Sequence, residues 1–227
     1  MQTVKTILLS KSVFEDNDRA AEELRGELRK KGVCLVNVMS SPGSGKTTLL
    51  VALIRRLAKR YRIGVMEADI DSDVDALTVA RETGCRSVQL HTGGMCHLDA
   101  GMTAQGLREL GEGLDLIFLE NVGNLVCPAD YDTGATLNLV ILSVPEGDDK
   151  PLKYPLVFQK SDLVVITKTD ALPYFNFDFR QCREYVGTRN RRVEVIPVSA
   201  QTGDNMDTLE RWFINKMTEE YSYAETE

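Results

Sequence analysis

Val33-Cys34-Leu35-Val36-Asn37-Val38-Met39-Ser40-Ser41-Pro42-Gly43-Ser44-Gly45-Lys46-Thr47 runs from an apolar stretch into a glycine-rich turn, and helix-forming sequence over 47–60 follows. A strand that empties into such a turn and then into a helix is the setting in which a glycine-rich string becomes a phosphate site. Gly43 and Gly45 let successive backbone N–H groups converge on phosphate oxygens, and the helix starting near Lys46 adds the positive end of its dipole. Pro42, Gly43, Ser44, Gly45, Lys46, Thr47 and Thr48 are the expected nucleotide contacts, with Lys46 spanning the β- and γ-phosphates and the Thr47 hydroxyl on Mg²⁺. Ser40 stands where such loops often carry glycine.

Outward from this turn, short apolar runs at 33–39, 63–66, 87–90, 114–119, 137–144, 162–166 and 193–198 alternate with helix-like stretches at 47–60, 73–82, 100–110, 179–185 and 205–217. Apolar strands without a polar face, separated by helices, predict an α/β fold: a three-layer, Rossmann-like P-loop NTPase with a mainly parallel sheet of about seven strands. The expected organisation is an N-terminal helical extension over 1–32, a nucleotide-binding domain over 33–217 and an acidic tail over 218–227 that frays. In the extension, Ala20, Ala21, Leu24 and Leu28 recur at helical spacing within 16–31 and predict a helix packed on the domain's flank. The chain has 227 residues, 27% charged, and a formal net charge of −7, which disfavours nucleic acid or an anionic membrane as a partner. There is no run of about 20 apolar residues and no apolar signal core, so the expected location is cytoplasmic. Five scattered cysteines suit a reducing compartment and thiol or metal chemistry better than a disulfide framework.

The strand at 114–119 runs into Glu120-Asn121-Val122-Gly123, an acidic strand end with a glycine three positions on, the spacing of the GTPase D-x-x-G element. Glu120 is expected to bind Mg²⁺, directly or through water, and the Gly123 N–H to approach the γ-phosphate. Glu67-Ala68-Asp69-Ile70-Asp71-Ser72-Asp73-Val74-Asp75 is a second acidic strand exit, where one of Asp69 or Asp75 is expected to face the metal or the attacking water and the other acidic residues to be solvated. Thr167-Lys168-Thr169-Asp170 resembles the guanine-reading N-K-x-D motif. The Asp170 carboxylate would accept from guanine N1–H and its exocyclic amine, and adenine, lacking both, would leave that carboxylate unpaired. Lys168 is expected to lay its stem on the ring, and Thr167, replacing asparagine, to remove one amide contact. Ser199-Ala200, in Val198-Ser199-Ala200-Gln201, resembles the loop that contacts the base through backbone.

Gly93-Gly94-Met95-Cys96-His97 places a thiol beside an imidazole, and Cys127 follows Gly123 by four residues. Two thiolates and an imidazole suit Zn²⁺ or Ni²⁺. Cys34, Cys85 and Cys182 read as core residues, and His91 as a structural residue at a strand end. Three ligands leave a tetrahedral ion one short, so water, another side chain or a second subunit must complete it. Cys127 lies seven residues beyond Glu120, on the stretch expected to feel the γ-phosphate, so hydrolysis could move a metal ligand.

At these residues the chain resembles the HypB family of hydrogenase nickel-incorporation GTPases. The runs that carry the resemblance are 40–47, Cys96-His97-Leu98-Asp99-Ala100, Glu120-Asn121-Val122-Gly123-Asn124-Leu125-Val126-Cys127-Pro128 and Glu146-Gly147-Asp148-Asp149-Lys150-Pro151-Leu152-Lys153-Tyr154-Pro155. The resemblance implies a GTPase, acting on the phosphoric anhydride of GTP and releasing GDP, that forms a homodimer with nucleotide and binds Ni²⁺ or Zn²⁺ at Cys96, His97 and Cys127. It also implies transfer of nickel to the [NiFe]-hydrogenase large subunit with help from a HypA-type chaperone. The N-terminal cysteine motif or histidine-rich segment of some members is not seen in this sequence. Without an evident arginine finger, turnover is expected to be slow. Rival readings are a UreG- or MeaB-like metallocentre GTPase, a metal-storage module locked by nucleotide, and an ATP-using small-molecule kinase.

Overall fold

The computed structural model describes residues 9–69 and 74–222, with side chains over 14–69 and 74–219. In chain order the elements are α1 (Leu9–Lys30), β1 (Cys34–Ser40), α2 (Lys46–Leu57), β2 (Ile63–Asp69), α3 (Val74–Thr83), β3 (Arg86–His91) and α4 (Ala100–Leu110). There follow β4 (Leu116–Glu120), α5 (Cys127–Asp130), β5 (Leu137–Ser143), α6 (Lys150–Lys153), α7 (Pro155–Gln159), β6 (Leu163–Thr167), α8 (Phe179–Arg189), β7 (Glu194–Pro197) and α9 (Met206–Ser222). The seven strands form one parallel sheet in the order β3-β2-β4-β1-β5-β6-β7. β1, β4 and β6 are buried along their whole length, which is why their sequences show no polar alternation.

Helices cover both faces. Leu49, Leu53, Leu57 of α2, Val79 of α3 and Leu209, Phe213 of α9 pack on Val36, Val38, Phe118 and Val165. On the other face Leu28 of α1 and Leu110 of α4 meet Leu35, Met66 and Leu119, while Phe158 of α7 and Val186 of α8 meet Val140 and Val164. Side-chain N-caps open α4 and α8: Asp99 accepts from Met102 N, and Asp178 from Arg180 N and Gln181 N.

The N-terminal helix begins earlier than its apolar spacing predicts, at Leu9, and residues 1–8 lie outside the described residues. Ala21, Leu24 and Leu28 face the domain, but Ala20 faces solvent. At the other end α9 continues through Ser222, so 218–222 are helical rather than part of a frayed tail, and 223–227 lie outside the described residues. Buried Met217, the bond from Thr218 Oγ1 to Ile214 O and the Lys216 to Glu219 pair carry the helix past the expected stop. The 146–155 stretch, whose shape its spacing does not reveal, folds as α6 and the start of α7. It hangs from Glu146, whose carboxylate accepts from both Ser143 N and Ser143 Oγ.

Gly106 sets how closely α4 lies on the sheet. A β-carbon there would fall 2.7 Å from Met66 Sδ and 3.1 Å from both Leu90 methyls. Gly106→Val is expected to destabilise the domain by about 1–3 kcal/mol, measured by denaturant unfolding, because the added groups overpack a closed layer.

Candidate nucleotide and metal sites

β1 ends between β4 and β5, so the turn that follows it opens at the carboxyl edge of the sheet where connections diverge, the place ligands occupy in open α/β sheets. Gly43 and Gly45 take positive φ, 75° and 87°, and Gly45 hands the chain directly to Lys46 at the first turn of α2. The turn is held from the β6 side. Thr167 Oγ1 donates to Ser44 O at 2.6 Å, and Lys168 Nζ donates to Gly43 O at 2.6 Å. Thr167 is buried, so its hydroxyl is committed to the phosphate turn rather than to a base. Lys168 adopts φ 58°, uncommon for a residue with a side chain, which turns its stem back over Gly45.

Asp170 is exposed and accepts from Ser199 Oγ at 2.6 Å, while Ser199 itself is fully buried. The hydroxyl of Ser199 therefore orients the carboxylate, a side-chain role that sequence reading, expecting a backbone contact, did not foresee. Ala200 follows it, half-buried. A cleft of about 690 Å³ opens beside Asp170, lined by Thr169, Leu172, Pro197 and Thr202 among others.

The acidic groups converge below the turn. Glu120, the last residue of β4, lies in register opposite Glu67 of β2, and its Oε1 stands 3.6 Å from Lys46 Nζ. Asp75, in the first turn of α3, joins them: one carboxylate oxygen from each of Glu67, Asp75 and Glu120 lies within 4.8 Å of the others. Asp69, half-buried at the end of β2, is not part of this triad, and Asp71 and Asp73 lie outside the described residues. Glu67, expected to be solvated with the rest of that acidic run, is instead buried and joins the candidate site. A glutamate inside an otherwise apolar strand was the available signal, because such a charge is buried only with a partner or an ion.

Burial, then the Glu120 and Asp75 charges, push the Glu67 carboxyl up to about 8. Burial also raises Glu120, to about 7, against the opposing pull of Lys46. Glu67 Oε2 and Glu120 Oε2 are buried with no hydrogen-bond partner, so two hard oxygen donors stand beside the phosphate turn as a divalent cation such as Mg²⁺ requires. Gly123 lies against the turn: a β-carbon there would sit in ordinary contact, 3.4 Å from Pro42 Cγ and 3.5 Å from Lys46 Nζ, which places its backbone beside the phosphate lysine.

Cys96 and Cys127 come from different loops yet meet. The neighbouring Cys96 thiol is the main cause lifting Cys127 above the ordinary thiol range. Cys96 Sγ lies 4.0 Å from His97 Nδ1. The set is not closed, because the three candidate donor atoms do not all lie within 4.8 Å of one another. The His97 ring stacks on Tyr131 at 3.6 Å and 9°, and burial lowers its pKa. Asn124 ties the loops together: Nδ2 donates to Cys96 O at 2.7 Å, and Oδ1 accepts from Val126 N and Cys127 N. Cys34 and Cys182 are core residues as read, whereas Cys85 is half-buried beside Thr83 Oγ1. His91 ends β3 exposed, so packing gives it no structural role.

Residues 34–197 match the family model described as the CobW/HypB/UreG nucleotide-binding domain. The chain is 43% identical over 213 residues to the hydrogenase maturation factor HypB of Rhizobium leguminosarum bv. viciae, covering 93% of this chain and 71% of that protein. The chain belongs to the HypB family. A crystal structure of HypB from Helicobacter pylori in complex with nickel superposes with a TM-score of 0.83 at 37% identity, covering 91% of this chain and 97% of that one. HypB from Archaeoglobus fulgidus gives 0.82 at 35% identity, covering 89% and 99%. The HypB relationship thus takes in the phosphate turn, the acidic triad and both cysteine loops, and the fold is that of a P-loop NTPase. Among the described residues no helix is long and apolar enough to cross a membrane.

Both raised carboxyls bind protons more tightly folded than unfolded, where the reference value is 4.5. Their contribution is therefore fully present at low pH and is lost as pH rises towards the folded values. Metal- and nucleotide-free protein is expected to lose thermal stability between about pH 5 and about pH 8 and then level off, and Glu67→Gln to flatten that slope. A slope unchanged by the substitution would show that Glu67 is not the group titrating.

Proposed function

We propose that this chain is a Mg²⁺-dependent GTPase that couples nucleotide turnover to the capture and release of nickel during maturation of [NiFe]-hydrogenase. One observation carries the reading. The segment that begins at buried Glu120 beside Lys46 ends seven residues later at Cys127, and Asn124 between them bonds to both thiol-bearing loops. A change at the terminal phosphate therefore has a short, hydrogen-bonded route to two metal ligands.

In this mechanism the N–H groups of 43–47 and the positive end of α2 hold the phosphates, and Lys46 leaves Glu120 to neutralise charge on the transferring group. Thr47, Glu120 and Glu67 would hold Mg²⁺, which when bound shields the phosphate oxygens. Asp75, converging with them, orients the attacking water, and Asp69 is the second candidate. Asp170, fixed by Ser199, reads guanine, and GDP and phosphate are the products.

Cys96, His97 and Cys127 take Ni²⁺, with Zn²⁺ an alternative for the same soft donor set. Exposed Met95 (42%) and Val126 (55%) flank the two thiols, so an apolar rim surrounds an incomplete ligand set; a second copy of the chain is the proposed cover and source of the missing ligand. Named relatives are hydrogenase maturation factors, which supports a hydrogenase as acceptor, its large subunit being the proposed one; a HypA-type chaperone is the proposed helper. The relatives are likewise the reason to place HypB ahead of a UreG- or MeaB-like function.

The wild-type protein is expected to favour GTP over ATP in kcat/KM by about 1,000-fold or more, and Asp170→Ala to remove most of that preference. Equal turnover of the two nucleotides by the wild type would end the base-reading assignment. For coupling, Ni²⁺ release should be faster with GTP than with a non-hydrolysable analogue, and Cys127→Ala should lower metal stoichiometry. Equal release with both nucleotides would favour a metal-storage module that nucleotide only locks.

A further inference from the structure

A metal-binding histidine needs its ring plane fixed, because the donor lone pair lies in that plane, and a hydrogen bond from the other ring nitrogen usually fixes it. Among the described residues His97 has no such bond; the one polar atom within reach of its ring is the neighbouring Cys96 Sγ. It has instead the Tyr131 ring, parallel within 9° at 3.6 Å, which covers one face and leaves the nitrogen-bearing edge open.

Tyr131 is itself anchored from outside the nucleotide-binding domain match. The Phe14 ring of α1 packs on it at 4.9 Å. Three residues on, Asn17 bridges the two segments that carry the candidate ligands: its Oδ1 accepts from Ala100 N, three residues beyond His97, and its Nδ2 donates to Asp132 O, next to Tyr131. Arg25 binds both oxygens of the Asp132 carboxylate at 2.7 Å and donates to Ala135 O.

We infer that Tyr131 is the positioning residue of the metal site, holding the His97 imidazole beside Cys96, with α1 fixing Tyr131 through Phe14 and Asn17. This rests on the reading that Cys96, His97 and Cys127 hold the ion. Tyr131 lies four residues beyond Cys127 on the same short segment, so a displacement starting at Gly123 reaches Cys127 directly and His97 through the stacked ring. The stack thus makes a ligand on the β3 to α4 loop a follower of the segment that senses phosphate.

The test is the affinity of the full chain for Ni²⁺ and for Co²⁺, measured against a chromophoric chelator, in a double-mutant cycle. Tyr131→Ala is expected to weaken binding by about 10-fold, the usual loss when support behind a metal-binding histidine is removed, while Tyr131→Phe, which keeps the stack, stays near wild type. Thiolate-to-metal charge-transfer bands should persist in Tyr131→Ala, since both cysteines remain. In a His97→Ala background Tyr131→Ala should change nothing further. Equal weakening in both backgrounds would assign Tyr131 a general packing role and overturn the inference, as would unchanged or tighter binding in Tyr131→Ala alone. If Cys96→Ala, His97→Ala and Cys127→Ala each leave affinity intact, the metal-site reading itself falls. If they weaken it and Tyr131→Ala does not, only the positioning role falls.

Discussion

Parallel pairing of β1 with β4 on one side and β5 on the other is the constraint from which both sites follow. It forces the phosphate turn to open beside the end of β4, and the in-register pairing of β4 with β2 sets Glu120 against Glu67. Two carboxylates so buried can stand together only with a counter-charge, a proton or a cation. Lys46 supplies part of the counter-charge without satisfying either Oε2, and a proton held on Glu67, whose carboxyl is pushed up to about 8, supplies the rest at the point where a cation would take its place.

The phosphate turn is rigid for a reason that lies across the sheet from that strain. Thr167 and Lys168, at the end of β6, donate to consecutive carbonyls of the turn, and Asp170 stands two residues beyond Lys168. The phosphate turn and the carboxylate proposed to read the base are thereby fixed to one frame by two short hydrogen bonds, and Ser199 adds a third that aims the carboxylate. Preorganisation of this kind lowers the ordering cost that a nucleotide would otherwise meet on binding.

The metal side is built differently. Cys96 and His97 sit on a loop and Cys127 opens the short helix α5, Cys96 is exposed, and the three candidate donor atoms do not all converge. What is fixed there is the scaffold behind them: Asn124 between the cysteine loops, and α1 across Tyr131 and Asp132. An open donor set on a braced scaffold suits an ion that must be released as well as held, which is the use proposed for it.

Most of the fold was legible in the chain because burial on both faces leaves a parallel strand continuously apolar, and G-x-G-K-T after such a strand has few other uses. The same local chemistry marked Lys46, Gly123, Asp170 and the thiols as candidates, each of which sits next to a strand end or a glycine turn. Short helices such as α5 and α6 had no periodicity long enough to read. The meeting of Glu67 with Glu120 and Asp75, the side-chain bond of Ser199 and the turn-binding hydroxyl of Thr167 were decided by tertiary structure, because each depends on a partner from a distant segment. So did the Tyr131 stack on His97, 34 positions apart in sequence. Sequence fixes which groups are present and which local turns they favour; register and helix packing alone bring groups from separate strands to within a few ångströms, and at that distance charge and hydrogen bonding assign their roles.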